Sequence, residues 1–358
     1  MPKPTPRENL LRTLRRQGFD WAPVESGGFC PSQHEAFAKR FGHWDVAKFF
    51  GNPSRFVWTR LQRTFTDGRA LYKNEVLPKD NIHFDDFGVG HSKHSEECFH
   101  MTHMHHPLEG DPSLDDIVNH PFPVVAPGAE EEMAKSNAEF QAQGFATMAG
   151  LACTVWESAW YMRSMEDLMA DMMADDERAT VLFDRVTDFA CSRARAAALA
   201  GADLIQLGDD IGMQHTIMMS LDLWRKWLKP RLAKVIRAAR EVKPDMLMFY
   251  HSCGYVVPYI PELIEIGVDI LNPVQPECMS LAEIQREHAG RLSYWGTVGT
   301  QQVLPFGTPE QVRAAVHENL RLCGAAGGIV ICPTHVVEPE VPWENLLAMK
   351  EAAESFKL

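Results

Sequence analysis

The chain has 358 residues, of which 45% are apolar and 23% charged, so it can fill a large core and keep a polar surface. Its 48 acidic and 35 basic side chains leave a net charge of −13, which argues against nucleic acid as a partner. No apolar run reaches the roughly 18 residues of a membrane span, and no secretory signal opens the chain, so we expect a cytoplasmic protein.

The first third of the chain differs in composition from the rest. Residues 56–122 are rich in His, Asp, Gly and Pro and contain too few apolar residues to build a core of their own. Within them, the stretch RTFTDGRALYKNEV predicts a hairpin that turns at Asp67-Gly68. We therefore predict that residues 56–122 form an insertion or lid within a single domain that spans residues 1–358.

From about residue 145 onward, short apolar runs alternate with amphipathic segments. The apolar runs read ATMAGLACTV, AGADLIQLG, MLMFY, VDILNP, RLSYWG and GGIVIC. The predicted helices begin near residue 164, span 176–199, 221–242, 257–266, 281–288 and 309–322, and finish with one from residue 343. This alternation predicts an α/β fold, either a (β/α)8 TIM barrel or an open doubly wound sheet. No GxGxxG motif follows a strand, which disfavours a dinucleotide-binding sheet and favours the barrel.

Ligand-type side chains follow the predicted strands. In a parallel barrel the C-terminal ends of the strands share one mouth, where reactive groups gather. The polar residues at these ends are Glu157, Asp209, Asp210, Gln214, His251, Cys253, Asn272, Cys332 and His335. Because the strand bodies stay apolar, this pattern indicates a functional site at the mouth rather than packing alone.

His251 and Cys253 stand two residues apart at the end of one predicted strand, and Cys332 ends another strand at the same mouth. Imidazole nitrogen and thiolate sulfur suit Zn²⁺, and three protein ligands leave a position open for substrate. Glu157 or Asp210 could fill the fourth position at rest. The alternative is that a cysteine at the end of a buried strand is a small apolar core residue.

The remaining polar residues have more than one interpretation. Asp209 and Asp210 could position substrate, act as acid or base, or orient a zinc ligand. The alternative is that they cap the helix that follows them, which could be the whole role of Asp209. Glu157 stands between two tryptophans and could be a metal ligand, an acid or a hydrogen-bond partner of the backbone. We predict catalytic roles for Asp210 and Glu157. We predict substrate contacts for Asp209, Gln214, Asn272 and His335.

Aromatic and sulfur-containing residues near the predicted mouth indicate an apolar or aromatic substrate pocket, although buried aromatic residues also simply pack. They are Trp156, Trp160, Met213 and Trp295. The string HSKHSEECFHMTHMHHPL, which begins at residue 91, holds six histidines without the regular spacing of a metal site. We expect this string to form a polar part of the lid, in which His103 or His106 could still face the substrate.

Four stretches of the sequence resemble the uroporphyrinogen decarboxylase superfamily. They read GADLIQLGDDIGMQ, YHSCGYVVPYIPELIEIGVDILNPVQP, YWGTVGTQQVLPFGTPEQV and GGIVICPTHVVEPEVPWENLLAMKEA. The likeness is strong over residues 140–355 and weaker over HHPLEGDPSLDDIVNHPFP. The H-x-C…C arrangement is similar to that of the zinc-dependent corrinoid methyltransferases in this superfamily. That similarity implies His251, Cys253 and Cys332 as zinc ligands.

The resemblance implies an enzyme that moves a methyl group between a small methylated substrate and a corrinoid protein or cobalamin. The substrate is an ether, amine, halide or thiol, and the direction stays open, with O-demethylation as one example. Zinc would keep an acceptor sulfur as thiolate in one direction and act as a Lewis acid on the leaving oxygen in the other. Porphyrin decarboxylation is disfavoured, because GFCPSQHEAFAKRFG stands where that branch carries an arginine-rich segment.

Two other functions stay open on the sequence alone. A metal-free barrel could be a decarboxylase or lyase for a small carboxylated substrate, with Asp210 and His251 as acid and base. A non-catalytic barrel could instead bind a small aromatic or tetrapyrrole-like ligand. The sequence also leaves open the fourth zinc ligand and the oligomeric state, for which a homodimer through the exterior helices is one alternative.

Overall fold

The computed structural model describes residues 3–73, 77–93 and 101–357, so His94 and His100 of the histidine-rich string lie outside the described residues. The strands are β1 (Ser54–Val57), β2 (Leu61–Gln62), β3 (Ile82–Phe84), β4 (Gly90–Lys93), β5 (Thr102–His105), β6 (Val124–Val125), β7 (Ala146–Gly150), β8 (Leu204–Gly208), β9 (Leu247–His251), β10 (Ile270–Asn272), β11 (Ser293–Trp295) and β12 (Ile329–Val330). The α-helices are α1 (Pro6–Leu14), α2 (Pro31–Phe41), α3 (Val46–Phe50), α4 (Leu114–Asn119), α5 (Ala129–Ala142), α6 (Trp156–Arg163), α7 (Met165–Ala174), α8 (Glu177–Leu199), α9 (Leu221–Trp227), α10 (Lys229–Arg240), α11 (Ile260–Ile266), α12 (Leu281–His288), α13 (Val303–Phe306), α14 (Pro309–Cys323) and α15 (Trp343–Ser355). Within the described ranges, no helix combines the length and the apolar character that crossing a membrane would need.

Seven of these strands form one parallel sheet in the order β1-β7-β8-β9-β10-β11-β12. Every neighbouring pair in this order runs parallel. The strand residues are almost all buried, because both faces of the sheet are covered. Burial on both faces explains why these strands appear in the sequence as continuous apolar runs instead of alternating patterns.

The segment around Val24 takes an eighth strand position. Val24 pairs in parallel with Ile331, directly after β12. Glu25 N donates to Ile331 O at 2.9 Å, and Ile331 N donates to Pro23 O at 2.9 Å. On its other side the segment meets β1 through a side chain, since Ser54 Oγ donates to Glu25 Oε1 at 2.5 Å. The α/β barrel class predicted from the sequence is confirmed.

We call the boundary between residues 24–26 and 52–54 the side-chain seam. Ser26 N donates to Asn52 Oδ1 at 3.0 Å, and Asn52 Nδ2 donates to Ser26 Oγ at 3.0 Å. In the described part of the chain, no backbone-to-backbone hydrogen bond joins these two segments. The barrel wall is therefore continuous, but side chains hold it together along this boundary.

Helix α1 closes the N-terminal end of the barrel. Leu10 and Leu14 are fully buried and share an apolar cluster with the first residues of β7, β8 and β9. Arg7 adds a salt bridge of 2.6 Å to Asp203, which directly precedes β8. Because this end is filled by apolar side chains, the barrel interior is accessible from the C-terminal mouth.

Most helices of the barrel lie where the sequence predicts them. α8 follows its N-cap Asp176, and α12 occupies the predicted range 281–288. The predicted helix 221–242 is two helices, because Pro230 in the first turn of α10 lacks the N–H that would continue α9. α7 follows its N-cap Ser164, so the helix predicted to begin near residue 164 is confirmed. α6 precedes it and was not predicted; the Asp209 carboxylate accepts backbone amides at its start.

The chain leaves the barrel between β1 and α5. There it forms a three-stranded antiparallel sheet, β3-β4-β5, and a two-stranded ribbon of β2 and β6. Residues 56 and 57, which begin the predicted insertion, belong to β1 of the barrel. The hairpin predicted at Asp67-Gly68 is wrong. The Asp67 side chain accepts a hydrogen bond from Arg69 N at 2.9 Å and starts a 3-10 turn instead.

Candidate active site

Three ligand-type side chains meet where the loops after β8 and β9 leave the barrel. The ligand atoms of Asp210, His251 and Cys253 all lie within 4.8 Å of one another. His251 Nε2 is 3.7 Å from Asp210 Oδ1 and 3.6 Å from Cys253 Sγ. Among the described residues, no other group of three or more His, Cys, Asp and Glu has such spacing. Oxygen, nitrogen and sulfur donors at this separation can close on one metal ion after small movements.

His251 presents one defined ring nitrogen to this cluster. Its Nδ1 lies 2.6 Å from Asn272 Oδ1, and Asn272 Nδ2 donates to Trp295 O at 2.8 Å. Because the Trp295 carbonyl takes the amide NH₂ group, the amide oxygen faces His251 and accepts its Nδ1–H. The lone pair of Nε2 then faces Asp210 and Cys253, which is the tautomer that a metal ligand needs.

The electrostatics of the cluster favour a bound cation. Burial raises the pKa of the Cys253 thiol, and the negative charges of Asp210 and Glu157 raise it further. Asp210 Oδ1 accepts a hydrogen bond from Cys253 N at 2.8 Å, which fixes the carboxylate beside the sulfur. On its own the thiol keeps its proton, whereas a divalent cation would stabilise the thiolate and make it a ligand.

Two glycines allow the strands and loops of the cluster to approach closely. A Cβ atom added to Gly208, the last residue of β8, would lie 2.7 Å from His251 O and 2.8 Å from His251 Cβ. A Cβ atom added to Gly212 would lie 2.6 Å from Cys253 O. A side chain at position 208 or 212 would therefore push the backbone of His251 or Cys253 out of its present place.

A cavity of about 630 Å³ opens at the barrel mouth beside the cluster. Inward-facing strand residues line it, among them Met148, Gln206, Phe249, His251 and Trp295, together with Cys332 just after β12. Phe249 and Trp295 meet edge to face, with ring centroids 5.5 Å apart. This volume and the largely apolar lining suit a small organic molecule.

Cys332 faces this cavity but stands apart from the cluster. Its side chain is buried and shares an apolar cluster and the cavity lining with Trp295. Burial raises the pKa of its thiol, and the nearby Glu25 carboxylate adds to that shift. Its sulfur does not complete a group with His251 and Cys253 in which all ligand atoms lie within 4.8 Å. A zinc site with all three residues therefore requires Cys332 to move, and its ligand role stays a prediction.

The cavity also has polar lining residues that were not predicted from the sequence, among them Glu25 and Gln206. Glu25 lies beside Cys332 in the adjacent strand position, and burial raises its pKa to about 7 although the Ser54 hydrogen bond opposes the shift. Gln206 lies in the middle of β8 and faces the cavity. The signal for Gln206 was available, because it is a polar residue inside the apolar run AGADLIQLG. The strand segment around Glu25 is too short to give any pattern.

Asp209 and Glu157 lie next to the cluster with different surroundings. The Asp209 carboxylate is buried and accepts hydrogen bonds from Val155 N at 3.0 Å and Glu157 N at 2.9 Å. It therefore caps α6, which precedes it, and the predicted cap of the helix that follows is wrong, because Ser220 caps that helix. Tyr161 Oη donates to Glu157 Oε1 at 3.0 Å. Burial raises the pKa of Glu157 to about 7, and the charge of Asp210 contributes to this. The substrate contact of Asp209 and the catalytic role of Glu157 stay predictions.

Gln214 and His335 lie at the rim of the mouth. Gln214 is exposed and exchanges two hydrogen bonds with the Gln301 side chain, at 2.9 Å and 3.2 Å. His335 is exposed and lines the cavity opening. Both side chains could meet a substrate on its way in, and the contacts predicted for them stay predictions.

The aromatic residues predicted around the pocket have separate environments. Trp295 lines the cavity, whereas Trp156 is fully buried in the core. Trp160 packs edge-on against Tyr161, with ring centroids 4.3 Å apart. Met213 is exposed on the loop after β8. Of this set, Trp295 is therefore the residue placed to contact a ligand.

The histidine-rich stretch lies in the insertion. His103 packs against His105 in β5, with ring centroids 4.7 Å apart. His106 borders a second cavity of about 520 Å³, which shares no lining residue with the cavity at the barrel mouth. The described part of this stretch therefore contributes no lining residue to the cavity beside the Asp210–His251–Cys253 cluster.

Comparison with known proteins gives the family. Residues 134–356 match the family model described as uroporphyrinogen decarboxylase (URO-D), which is more than half of the chain. The chain belongs to the uroporphyrinogen decarboxylase family. Family membership, predicted from four sequence stretches, is thus confirmed.

The relatives of this chain include proteins named as decarboxylases and a protein named as a methyltransferase. Uroporphyrinogen decarboxylase from Hahella chejuensis is 20% identical over 94% of this chain and 93% of its own length. The methylcobamide:CoM methyltransferase MtbA from Methanosarcina mazei is 24% identical over 100% of both chains. A solved methyltransferase structure from Methanosarcina mazei covers 99% of both chains with a TM-score of 0.70 at 17% identity, which supports the barrel fold.

Within the uroporphyrinogen decarboxylase family, the N-terminal segment of this chain lacks a cationic clamp. The stretch GFCPSQHEAFAKRFG includes α2, and its Arg40 pairs with Glu344 at 3.1 Å. Arg55 borders the cavity, but its guanidinium stacks on Phe145 at 3.8 Å and donates to two backbone carbonyls. No lysine occurs among the described lining residues. That this chain does not decarboxylate a porphyrin stays a prediction.

Proposed function

We propose that this chain moves a methyl group between a small methylated substrate and a corrinoid, either cobalamin itself or one carried by a partner protein. The substrate would be an ether, amine, halide or thiol. The observation that carries the proposal is the Asp210–His251–Cys253 cluster at the barrel mouth. The name of the Methanosarcina mazei relative, a methylcobamide:CoM methyltransferase, supports the same class of reaction.

The donor set fits a zinc ion. His251 offers Nε2 in the required tautomer, Cys253 offers sulfur, and Asp210 offers a carboxylate oxygen. We propose Cys332 as a further ligand, with Asp210 in the fourth position until substrate replaces it. A bound zinc ion would stabilise negative charge on a substrate sulfur or on the oxygen that loses its methyl group.

The chain's own residues would then have distinct tasks. Asn272 keeps Nε2 of His251 directed at the cluster. In the demethylating direction the substrate's bond to its methyl group breaks, the methyl group passes to the corrinoid, and the remaining heteroatom takes a proton. We propose Glu157 as the source of that proton, because a pKa of about 7 lets it hold and release one near neutral pH. The apolar cavity walls would keep water away from the transfer.

Metal content tests the zinc site. Wild-type protein purified without chelator is expected to contain about one zinc per chain, and Cys253→Ser and Cys332→Ser are expected to lose most of it. Cys191→Ser is the matched control, since Cys191 is half-buried on α8 outside the site. Well-folded wild type without zinc would contradict the proposal. Methyl transfer is then assayed by cobalamin absorbance with methylated ethers, amines and thiols.

A metal-free decarboxylase or lyase is the second candidate. It is favoured by the pair of His251 Nε2 and Asp210 Oδ1, 3.7 Å apart, which could act as acid and base. The names of the uroporphyrinogen decarboxylase relatives point in the same direction. Turnover of a small carboxylated substrate by zinc-free protein would establish this alternative.

We further propose a cytoplasmic enzyme with a separate corrinoid protein as its partner. Trp44 and Trp58 are 66% and 62% exposed near the mouth, and they give it an apolar rim that a partner could cover. Size-exclusion chromatography of the chain alone would test the predicted homodimer.

A further inference from the structure

Gln206 is a polar side chain in a cavity whose lining is largely apolar. It pairs in register with Phe249 of the neighbouring strand, and its half-buried side chain faces the cavity. Among the residues that the structure describes, none forms a hydrogen bond with its side-chain amide. The amide therefore has two donor hydrogens and one acceptor oxygen to offer a ligand.

Aromatic side chains surround the space next to this amide. Phe249 and Trp295 lie edge to face, with an interplanar angle of 76°. Nearer the mouth, Phe56 lines the same cavity and stacks on Trp58 at an angle of 14°. Aromatic faces and edges of this kind favour a flat ring as ligand. A ring that fills the cavity would bring one of its substituents within reach of Gln206.

The charges of the lining argue that this substituent is neutral. Glu25 and Asp45 bring carboxyl groups to the cavity, and the Arg55 guanidinium is engaged by Phe145 and backbone carbonyls. A carboxylate or sulfonate beside Gln206 would lose its hydration without an ion pair in return. A hydroxyl or carbonyl group would replace its hydrogen bond to water with one to the Gln206 amide, at little cost in binding free energy.

We infer that Gln206 is the specificity-determining residue of this cavity and that it hydrogen-bonds a neutral hydroxyl or carbonyl substituent on an aromatic methyl ether. That the ring carries a methyl ether rests on the proposed function, whereas the neutral polar ring follows from the cavity. The ether would lie toward His251 and Cys332, which share the cavity with Gln206.

Binding of three probes to the purified protein tests the inference by calorimetry. The probes are 2-methoxyphenol, methoxybenzene and 2-methoxybenzoate. We expect 2-methoxyphenol to bind about tenfold more tightly than methoxybenzene, the factor of one neutral hydrogen bond, and 2-methoxybenzoate to bind most weakly. Gln206→Leu should abolish the tenfold preference and leave methoxybenzene binding within about twofold. Gln143→Leu, at an exposed glutamine after α5, is the matched control and should change nothing.

Thermal unfolding shows whether the Leu variant folds, and Gln206→Asn replaces it if it does not. The shorter amide should reduce the preference at least threefold. An unchanged preference in the variants overturns the inference, as does a wild type that binds none of the probes or favours the benzoate. If binding depends on Gln206 but no methyl group passes to reduced cobalamin, the proposed function is contradicted and the inference about Gln206 stands. If other substrates give methyl transfer that is unchanged in Gln206→Leu, the inference is contradicted and the proposed function stands.

Discussion

Asn272 determines which nitrogen His251 presents to the cluster, so its amide should control metal affinity without touching the metal. Asn272→Leu removes the acceptor for Nδ1–H. We expect zinc affinity to fall by roughly 10- to 100-fold, as is typical when the hydrogen-bond partner of a metal ligand is lost. Competition with a chromophoric chelator measures this change. Asn272→Asp keeps an acceptor oxygen and should bind zinc more tightly than the Leu variant. Equal affinities in the wild type and the Leu variant would contradict the expected role.

Glu25 makes the stability of the chain depend on pH. Its pKa is raised by burial from 4.5 to about 7, so the folded chain holds this proton more tightly than the unfolded chain. Stability from this group is fully present at low pH, decreases as the pH rises from about 4.5, and is lost once the pH passes about 7. Above that pH, the folded chain carries the cost of a buried charge.

Glu25→Gln removes this charge and keeps an acceptor for the Ser54 hydroxyl. We expect the variant to unfold with a free energy roughly 1–3 kcal/mol higher than the wild type at alkaline pH, and equal to it near the ordinary pKa of glutamate. Urea denaturation at both pH values measures the difference. Glu139→Gln, at an exposed glutamate of α5, should show no such pH dependence. A constant difference at both pH values would show that titration of Glu25 is not the cause.

At the scale of elements, β8 and the end of β9 lie so close that only glycine fits at position 208. Gly208→Ala would force the His251 backbone away, and we expect it to lower the free energy of unfolding by roughly 1–3 kcal/mol and to weaken zinc binding. Gly28→Ala is a suitable control for stability, because its added Cβ meets Val336 at an ordinary 3.5 Å. Urea denaturation measures both variants. Equal stabilities would show that the two strands adjust without cost.

Elements were predictable where their determinants lie within their own segment. α8 and α12 have an N-cap directly before them, Asp176 and Ser280, together with a regular apolar pattern. α6 is capped by Asp209, which lies 54 residues after Val155 at the start of that helix, so no local signal marks the start. A determinant that arrives from another strand can be found in the structure and not in the sequence around the helix.

The residues of the site were predictable from the sequence where they follow a strand directly. Asp210, His251 and Cys253 stood out because the ends of parallel strands share one mouth, and the structure brings these three together. Glu25 could not be found this way, since its strand position consists of a single paired residue, Val24. Gln206 lies in the middle of β8 and not at its end, and its signal in the sequence is a single polar residue within an apolar run.

At the scale of the whole molecule, α1 closes the N-terminal end of the barrel and packs against the barrel interior. Leu10→Ala leaves a void among the first residues of several strands, and we expect a loss of roughly 2–5 kcal/mol in the free energy of unfolding. Leu199→Ala, at a leucine that is 62% exposed, should cost less than about 0.5 kcal/mol. Urea denaturation compares the two. Similar losses would mean that α1 does not support the barrel.

The side-chain seam has a consequence for how the cavity can evolve. A backbone ladder keeps its spacing whatever its side chains are, whereas the boundary at residues 24–26 and 52–54 depends on Asn52 and Ser54. Both residues border the cavity beside Glu25. Single substitutions there can change the width of the pocket or the charge of its lining while the parallel sheet keeps its register. New substrates are therefore accessible to descendants of this chain through one or two mutations that leave the Asp210–His251–Cys253 cluster unchanged.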